Sequence, residues 1–349
     1  PQGEVARIVT LQTSGSTGSP KRLHFTRQDL DGTVDFFLHG MLNLVDISGS
    51  VLALLPCAQP DSTGDLLVRA LTGGGVRCAG LWPPANGDEL SALIRREGHT
   101  CVVGLPQHLL ALSGALPVGL VRSMLLCSDY APPALRRRIE ESCGCETFLH
   151  YGTTETGLGG GVECGAHDGC HLRESDLLFE IVDPATGEAL PDGEIGEVVV
   201  TTLGRRAMPL LRYRTGDLAR LETGPCACGG VTARLCDVAG RGRAFLLGGG
   251  FSVTSRELDD RLFELEGLLD YRASLGSSGG RDRLVIEFQA GAGHERLERA
   301  LERTLRRVPG VSAALELETL TLGPMRRVEA FSPSHTVKRT ISDQRGGTS

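Results

Sequence analysis

The densest chemistry in this sequence lies in nine residues near its start. Thr13-Ser14-Gly15-Ser16-Thr17-Gly18-Ser19-Pro20-Lys21 holds five hydroxyls, two glycines and a lysine. Glycines let successive backbone N–H groups turn toward one point, hydroxyls add donors, and the ammonium adds charge, which together suits a polyphosphate. It is not a Walker loop, because Gly18 and Lys21 are not adjacent and no Ser or Thr follows the lysine. A Ser/Thr/Gly loop alone is as readily a plain turn. Lysine is otherwise scarce: of 36 basic residues only Lys21 and Lys338 are lysines, and the other 34 are arginine. Either codon bias left two by chance, or a compact point charge was needed at these positions.

A second group of candidates is rich in thiols and imidazoles. Cys164, His167, Cys170 and His171 cluster in sequence, and Cys226 and Cys228 follow much later. Thiolate and imidazole are the donors of a tetrahedral zinc site, and three cysteines with one histidine are a common structural set. The other reading is buried free thiols, as at Cys57, Cys78, Cys101 and Cys127.

Composition limits what these residues can serve. The chain has 349 residues, enough for about two domains at roughly 150 residues each. Acidic residues number 43, and the net charge of −7 argues against a nucleic-acid partner. No apolar run nears the roughly 20 residues that span a bilayer, and no signal-peptide layout opens the chain, so a cytoplasmic protein without a membrane partner is expected. Eleven cysteines in such a chain point to metal ligands, catalytic thiols or small apolar residues rather than disulfides.

The elements that must position these residues alternate. Val5 to Gln12 is apolar and β-branched and leads into the loop, as a buried strand would. Gln28 to Leu44 is amphipathic and helix-like. Val51 to Pro56 and Thr100 to Pro106 are short apolar runs ending in proline, as central parallel strands do, with helical patterns at Gly64 to Leu71, Asp88 to Glu97 and Ala134 to Ser142. This alternation predicts a doubly wound α/β core. From about Gly159 the pattern becomes β-like, with turn signals at ATGE and PDGE. After Arg241 come a β-rich patch, a helix over Ser255 to Leu265, a strand at LVIEFQ, a helix over Glu295 to Val308 and a last strand near Leu315 to Leu322. The expected organisation is a large α/β core over 1–240, with a zinc-bearing β insertion at about 160–235, and a small α+β domain over 241–349.

Two further motifs give the loop its context: His150-Tyr151-Gly152-Thr153-Thr154-Glu155 and Tyr213-Arg214-Thr215-Gly216-Asp217. In this order and spacing the three stretches resemble the adenylate-forming superfamily of acyl-CoA synthetases, over nearly the whole chain. TTLGRRAMPLLRYRTGDL and FEIVDPATGEALPDGEIGEVVVTTL are most similar to its phenylacetate–CoA ligase branch. The resemblance implies that Thr13 to Gly18 and Lys21 close over the β- and γ-phosphates of ATP. It implies further that Tyr151, beside Gly152 and Thr153, stacks on adenine, that Thr154 donates to the α-phosphate, and that Glu155 holds Mg²⁺ through hard oxygen ligands. Asp217 would accept from the ribose hydroxyls, and Arg241 would stand at the ribose edge of the domain joint. Arg243 falls where the family's hinge residue lies, a position that usually carries Asp or Lys, and the resemblance implies that the small domain is mobile about it. The branch's cysteine pattern selects Cys164, His171, Cys226 and Cys228 for a structural Zn²⁺, leaving His167 and Cys170 as spares or substitutes.

The sequence departs from the family in three places. It begins only a few residues before the loop, so part of the acid-pocket wall is expected to be missing, truncated or supplied by a partner. The adenine-lining segment, normally Gly-Gly/Ala-Glu, is Cys127-Ser128-Asp129-Tyr130, with Ser128 and Asp129 within reach of adenine. The terminal motif reads Phe331-Ser332-Pro333-Ser334-His335-Thr336-Val337-Lys338, with Thr336 where the family's lysine belongs and Lys338 two residues on. The scarcity of lysine favours Lys338 as the ammonium that neutralises charge on the carboxylate–phosphate transition state. The implied activity joins a small organic or aryl acid to a thiol through an acyl-adenylate, with CoA as acceptor. Loading of a carrier protein and a degenerate nucleotide-binding scaffold are the alternatives, and oligomerisation is left open.

Overall fold

The computed structural model describes residues 9–12, 21–239, 244–294, 296–331, 339 and 341–345. The chain divides into two compact units, Pro1–Ala131 with Ile139–Arg241, and Pro132–Arg138 with Gly242–Ser349.

The first unit opens with an antiparallel pair, β1 (Val9–Gln12) and β2 (Arg22–Phe25). Helix α1 (Arg27–Met41) begins at a capping box in which Thr26 and Asp29 satisfy each other's backbone N–H groups. Strand and helix then alternate: β3 (Ser50–Leu54), α2 (Thr63–Gly73), β4 (Arg77–Gly80), α3 (Gly87–Glu97), β5 (Cys101–Gly104), α4 (Pro106–Ser113), β6 (Ser123–Leu126), α5 (Pro133–Cys143) and β7 (Glu146–Tyr151). Every residue of β3, β5 and β6 is buried, as strands covered on both faces must be. The five strands are parallel in the order β4-β3-β5-β6-β7. The direction of winding reverses at β3, and the crevice at the carboxyl ends of such strands is where this architecture presents ligand-binding loops.

The β region expected at about 160–235 extends the core sheet. Strand β7 runs on and pairs antiparallel with β8 (Gly161–Glu163), His150 opposite Val162. The sheet continues through β9 (Cys170–Leu172), β10 (Leu177–Val182), β11 (Gly196–Thr202), β12 (Tyr213–Glu222) and β13 (Arg234–Cys236), making one mixed sheet of eleven strands. Tyr151, Phe179, Ile181, Val198, Val200 and Leu235 share the apolar core of this half.

In the second unit, β14 (Phe245–Leu246) pairs with β15 (Ser252–Val253), and α6 (Ser255–Leu262) starts at a Thr254–Glu257 capping box. Strands β16 (Leu268–Ser278) and β17 (Arg281–Ala290) form a hairpin turning through Gly279 and Gly280, at φ +60° and +76°, which L side chains adopt at a cost. The helix expected over 295–308 is α7 (Glu298–Leu305), because Pro309 starts a separate helix, α8 (Pro309–Glu316). The strand expected from Leu315 therefore begins later, as β18 (Leu320–Arg327), after a turn with Glu318 at φ +54°. With β19 (Ile341–Asp343) the sheet order is β18-β17-β16-β19. A buried ion pair, Arg339 Nε to Asp259 Oδ1 at 2.9 Å, stands in this unit, with the Tyr271 hydroxyl donating to the same oxygen at 2.7 Å. Among the described residues no helix is long and apolar enough to cross a membrane.

Candidate nucleotide site and thiol cluster

Strands β6 and β7 lie side by side, so their carboxyl ends deliver two of the motifs together. After β6, Ser128 takes φ +70°, and Asp129 Oδ1 accepts from the Tyr130 N–H at 3.0 Å. After β7 the chain folds into a tight turn. Leu158 N–H donates to the Thr153 carbonyl at 2.8 Å, Gly157 N–H to the Thr154 carbonyl at 3.1 Å, and Thr153 N–H to Thr156 Oγ1 at 3.0 Å. Gly152 is required here, since a Cβ would lie 2.5 Å from the Leu158 carbonyl oxygen.

The turn buries Glu155, which is 2% exposed, and its Oε1 accepts from the Tyr213 hydroxyl at 2.9 Å. Lys21 Nζ donates to that same hydroxyl at 3.1 Å and stands 5.2 Å from the ring centroid. Burial raises the Tyr213 phenol, with Lys21 pulling down and Glu155 adding to the rise, so it stays a neutral donor. Three residues far apart in sequence thus meet at one hydroxyl. The motif contained Tyr213, but nothing in its spacing disclosed this link.

Asp217 is presented by an irregularity in β12. Opposite Val198 the partner strand carries the extra residues between Arg214 and Leu218, and Gly216 takes φ +78°. Glu197 holds that bulge, Oε1 accepting from Gly216 N–H at 3.0 Å and Oε2 from Arg214 Nε at 2.7 Å. Thr215 Oγ1 donates to the Val198 carbonyl at 2.8 Å and accepts from Asp217 N–H at 3.0 Å. The Tyr151 hydroxyl donates to Asp217 Oδ2 at 3.0 Å, while its ring meets Phe179 edge-on at 6.4 Å. Tyr151 therefore holds the Asp217 carboxylate, a contact separate from the adenine stacking that the resemblance implies. Thr13, Ser14, Gly15, Ser16, Thr17, Gly18, Arg241, Arg243, Thr336 and Lys338 lie outside the described residues.

Cys164, His171, Cys226 and Cys228 are, among the described residues, the one group whose donor atoms all lie within 4.8 Å of one another. Cys164 Sγ and Cys226 Sγ are 3.7 Å apart, and Cys228 Sγ is 3.3 Å from His171 Nε2. Ligands about 2.0–2.3 Å from a tetrahedral zinc have edges close to these, so the donor set fits such an ion. The backbone N–H of Cys228, above other causes, draws the Cys226 thiol down to about 6, whereas burial pushes Cys164 up to about 11. His171 Nδ1 pairs with Thr232 Oγ1 at 2.9 Å, which orients the ring. Gly230 must lack a side chain, because a Cβ would lie 2.7 Å from His171 Cε1. The two spares are used elsewhere: His167 bonds Glu146 at 2.9 Å, and Cys170 lies in the apolar core.

With this geometry in place, the likeness to known proteins is specific. The AMP-binding enzyme family profile matches residues 7–204. The chain belongs to that family. A phenylacetate-coenzyme A ligase of Thermus thermophilus is 31% identical over 314 residues, 83% of this chain and 66% of that protein. A phenylacetate-coenzyme A ligase of Pseudomonas putida is 26% identical, over 94% of this chain and 77% of that protein. The fold of this AMP-binding enzyme matches a 2-hydroxyisobutyryl-CoA ligase in complex with its acyl-adenylate, at a TM-score of 0.76 and 19% identity, covering 99% of this chain and 75% of that one. It also matches ATP-bound MatB from Rhodopseudomonas palustris at 0.62 and 18%, covering 95% of this chain and 66% of that one.

Proposed function

We propose that this AMP-binding enzyme activates a small organic acid, aryl acids included, with ATP and passes the acyl group to a thiol, with coenzyme A as acceptor. The observation that most supports this reading is the convergence of Lys21, Tyr213 and Glu155 on one hydroxyl, with Asp217 held by Tyr151 in the same unit.

In the first step a carboxylate oxygen of the acid bonds to the α-phosphorus, and the bond to the departing pyrophosphate breaks. Lys21, with Thr13 to Gly18, faces the β- and γ-phosphates and follows the charge that leaves with them. Thr154 donates to the α-phosphate, where charge accumulates in the transition state. Glu155 offers a hard carboxylate oxygen suited to Mg²⁺, which when bound neutralises phosphate charge. Asp217 accepts from the ribose hydroxyls, and Tyr151, Gly152, Thr153, Ser128 and Asp129 border adenine. In the second step the thiol sulfur attacks the acyl carbon of the mixed anhydride, AMP leaves, and the thiol proton passes to solvent.

Residues 241–349 are, on this reading, the family's lid domain, and Lys338 its transition-state ammonium. Cys164, His171, Cys226 and Cys228 hold a structural Zn²⁺ with no position left for a reacting water. None of the eleven cysteines is in a disulfide, which suits a reducing cytoplasm.

Acid-dependent exchange of labelled pyrophosphate into ATP, across a panel of carboxylic acids, tests the reading. Exchange with at least one acid is expected. Its absence with every acid, alongside measurable AMP binding, would leave a nucleotide-binding scaffold instead. Product formation with free coenzyme A against a phosphopantetheinylated carrier separates the two acceptors.

A further inference from the structure

The turn that carries Glu155 rests on a cation that the reaction above does not use. Arg205 stands in the loop after β11, and that loop is tied to the start of α1. Asp29 accepts from the backbone N–H groups of Arg206 at 2.9 Å and Ala207 at 3.2 Å. Burial pushes Asp29 up, but these bonds, with those from Thr26, hold it below its ordinary value, so it is a firm anionic anchor.

From this loop the Arg205 guanidinium lies over the Phe25 ring, 4.7 Å from its centroid. The Glu155 turn comes directly against it. Gly157, at φ +72°, is in a conformation L side chains rarely adopt, and it is close-packed: a Cβ would lie 3.3 Å from Arg205 Nη2 and 3.2 Å from Thr33 Oγ1, so both would have to give by a few tenths of an ångström. Thr33 Oγ1 donates to the Gly157 carbonyl at 2.7 Å. Arg205 Nη1 is buried and has no hydrogen-bond partner among the described residues. An unmet buried N–H is costly, so other interactions must hold the group in place. The ring face is one, and the nearby charges of Asp29 and Glu155 favour the cation, against the opposing charge of Arg173. Burial lowers Arg205 only to about 10, so it remains charged at neutral pH.

We propose that Arg205 is a positioning residue for Glu155, its guanidinium bracing the Thr153–Gly157 turn so that the carboxylate meets a divalent cation at the nucleotide phosphates. The proposal rests on the reading of Glu155 given above. The sign of the effect separates positioning from charge alone. By Coulomb's law, removing a cation beside Glu155 strengthens its hold on Mg²⁺, whereas loss of the brace weakens it.

The test is calorimetric affinity for ATP with EDTA and with Mg²⁺, on the full chain and its variants. In R205M the gain in affinity on adding Mg²⁺ is expected to shrink by about fivefold or more, with affinity in EDTA held within about twofold. R205K keeps the charge but not the planar fork, so an intermediate loss is expected, and R205K decides the matter if R205M does not fold. In an E155Q background the same substitution should change the Mg²⁺ gain by less than about twofold, because the effect acts through Glu155. An unchanged or enlarged gain in the foldable Arg205 variant, or an equal loss without Glu155, overturns the proposal. A role in stability alone would lower the melting temperature and leave the gain intact, which also overturns it. A parent chain that binds ATP with no Mg²⁺ gain overturns both this inference and the role of Glu155. Absence of acid-dependent exchange overturns the ligase reading alone, since the affinity comparison needs no turnover.

Discussion

Tyr151 donates its phenolic proton to Asp217 Oδ2 across 3.0 Å, joining two motifs 66 residues apart. Asp217 is 5% exposed, so its carboxylate depends on donors that the protein supplies. Tyr151→Phe keeps the ring and removes the donor. The expected result is a loss of about 1–3 kcal/mol in stability, read by denaturant melting, with weaker ATP binding by calorimetry. An unchanged stability and ATP affinity would show that Asp217 does not rely on this bond.

Tyr213→Phe removes the hydroxyl between Lys21 and Glu155. Both charged groups lose a shared partner, and the exchange rate is expected to fall about tenfold. Lys21→Met in the same background should then cost less than it does in the parent. Additive losses in pyrophosphate exchange would mean that Lys21 does not act through the Tyr213 hydroxyl.

On the proposed zinc reading, Cys226→Ser exchanges a thiolate ligand for a hydroxyl that does not ionise at neutral pH. Metal content by atomic emission and melting temperature are expected to fall together, because ion binding at such a site is worth on the order of 10 kcal/mol to the local fold. A chelator should do the same to the parent. A stable, metal-free variant would make these four side chains ordinary interior residues.

His150 stands just before Tyr151, its Nε2 enclosed without a partner among the described residues and its ring near Phe36 and Phe37. Burial depresses this imidazole from 6.5 to about 4. Between those values the unfolded chain binds a proton that the native chain does not. The contribution of His150 is therefore intact above pH 6.5 and lost progressively as pH falls to about 4, with a full size of about 3 kcal/mol at most. His150→Phe should flatten that part of the stability–pH curve.

Lys338→Ala tests the lysine scarcity argument directly. Adenylation is expected to slow far more than ATP binding weakens, since the proposed role of the ammonium is to meet charge that appears only in the transition state. Equal rates for variant and parent would transfer the role elsewhere.

Much of this was legible in the chain alone. The helix read as Gln28 to Leu44 is Arg27–Met41, and Asp88 to Glu97 is Gly87–Glu97, because period and caps act over one or two turns. The buried runs at Val51 and Thr100 are fully covered strands, for the same local reason. The family's motifs were also visible, since glycines such as Gly152 are demanded by backbone geometry within a few residues. The misreadings came where pattern is ambiguous. Leu315, expected in a strand, belongs to a helix, and no local signal announces the pairing of β8 with β7 that joins the β region to the core sheet.

By itself, then, the order of residues determined the chemical types, the family and most of the elements, because those depend on neighbours along the chain. Only the tertiary structure decided which groups meet. Lys21 and Glu155 share Tyr213, Asp217 leans on Tyr151, and Arg205 comes up beneath Gly157. The physical reason is that these contacts are set by strand register and by irregularities such as that at Gly216, where Thr215, Gly216 and Asp217 stand opposite Val198 alone, and none of this is fixed by neighbours along the chain.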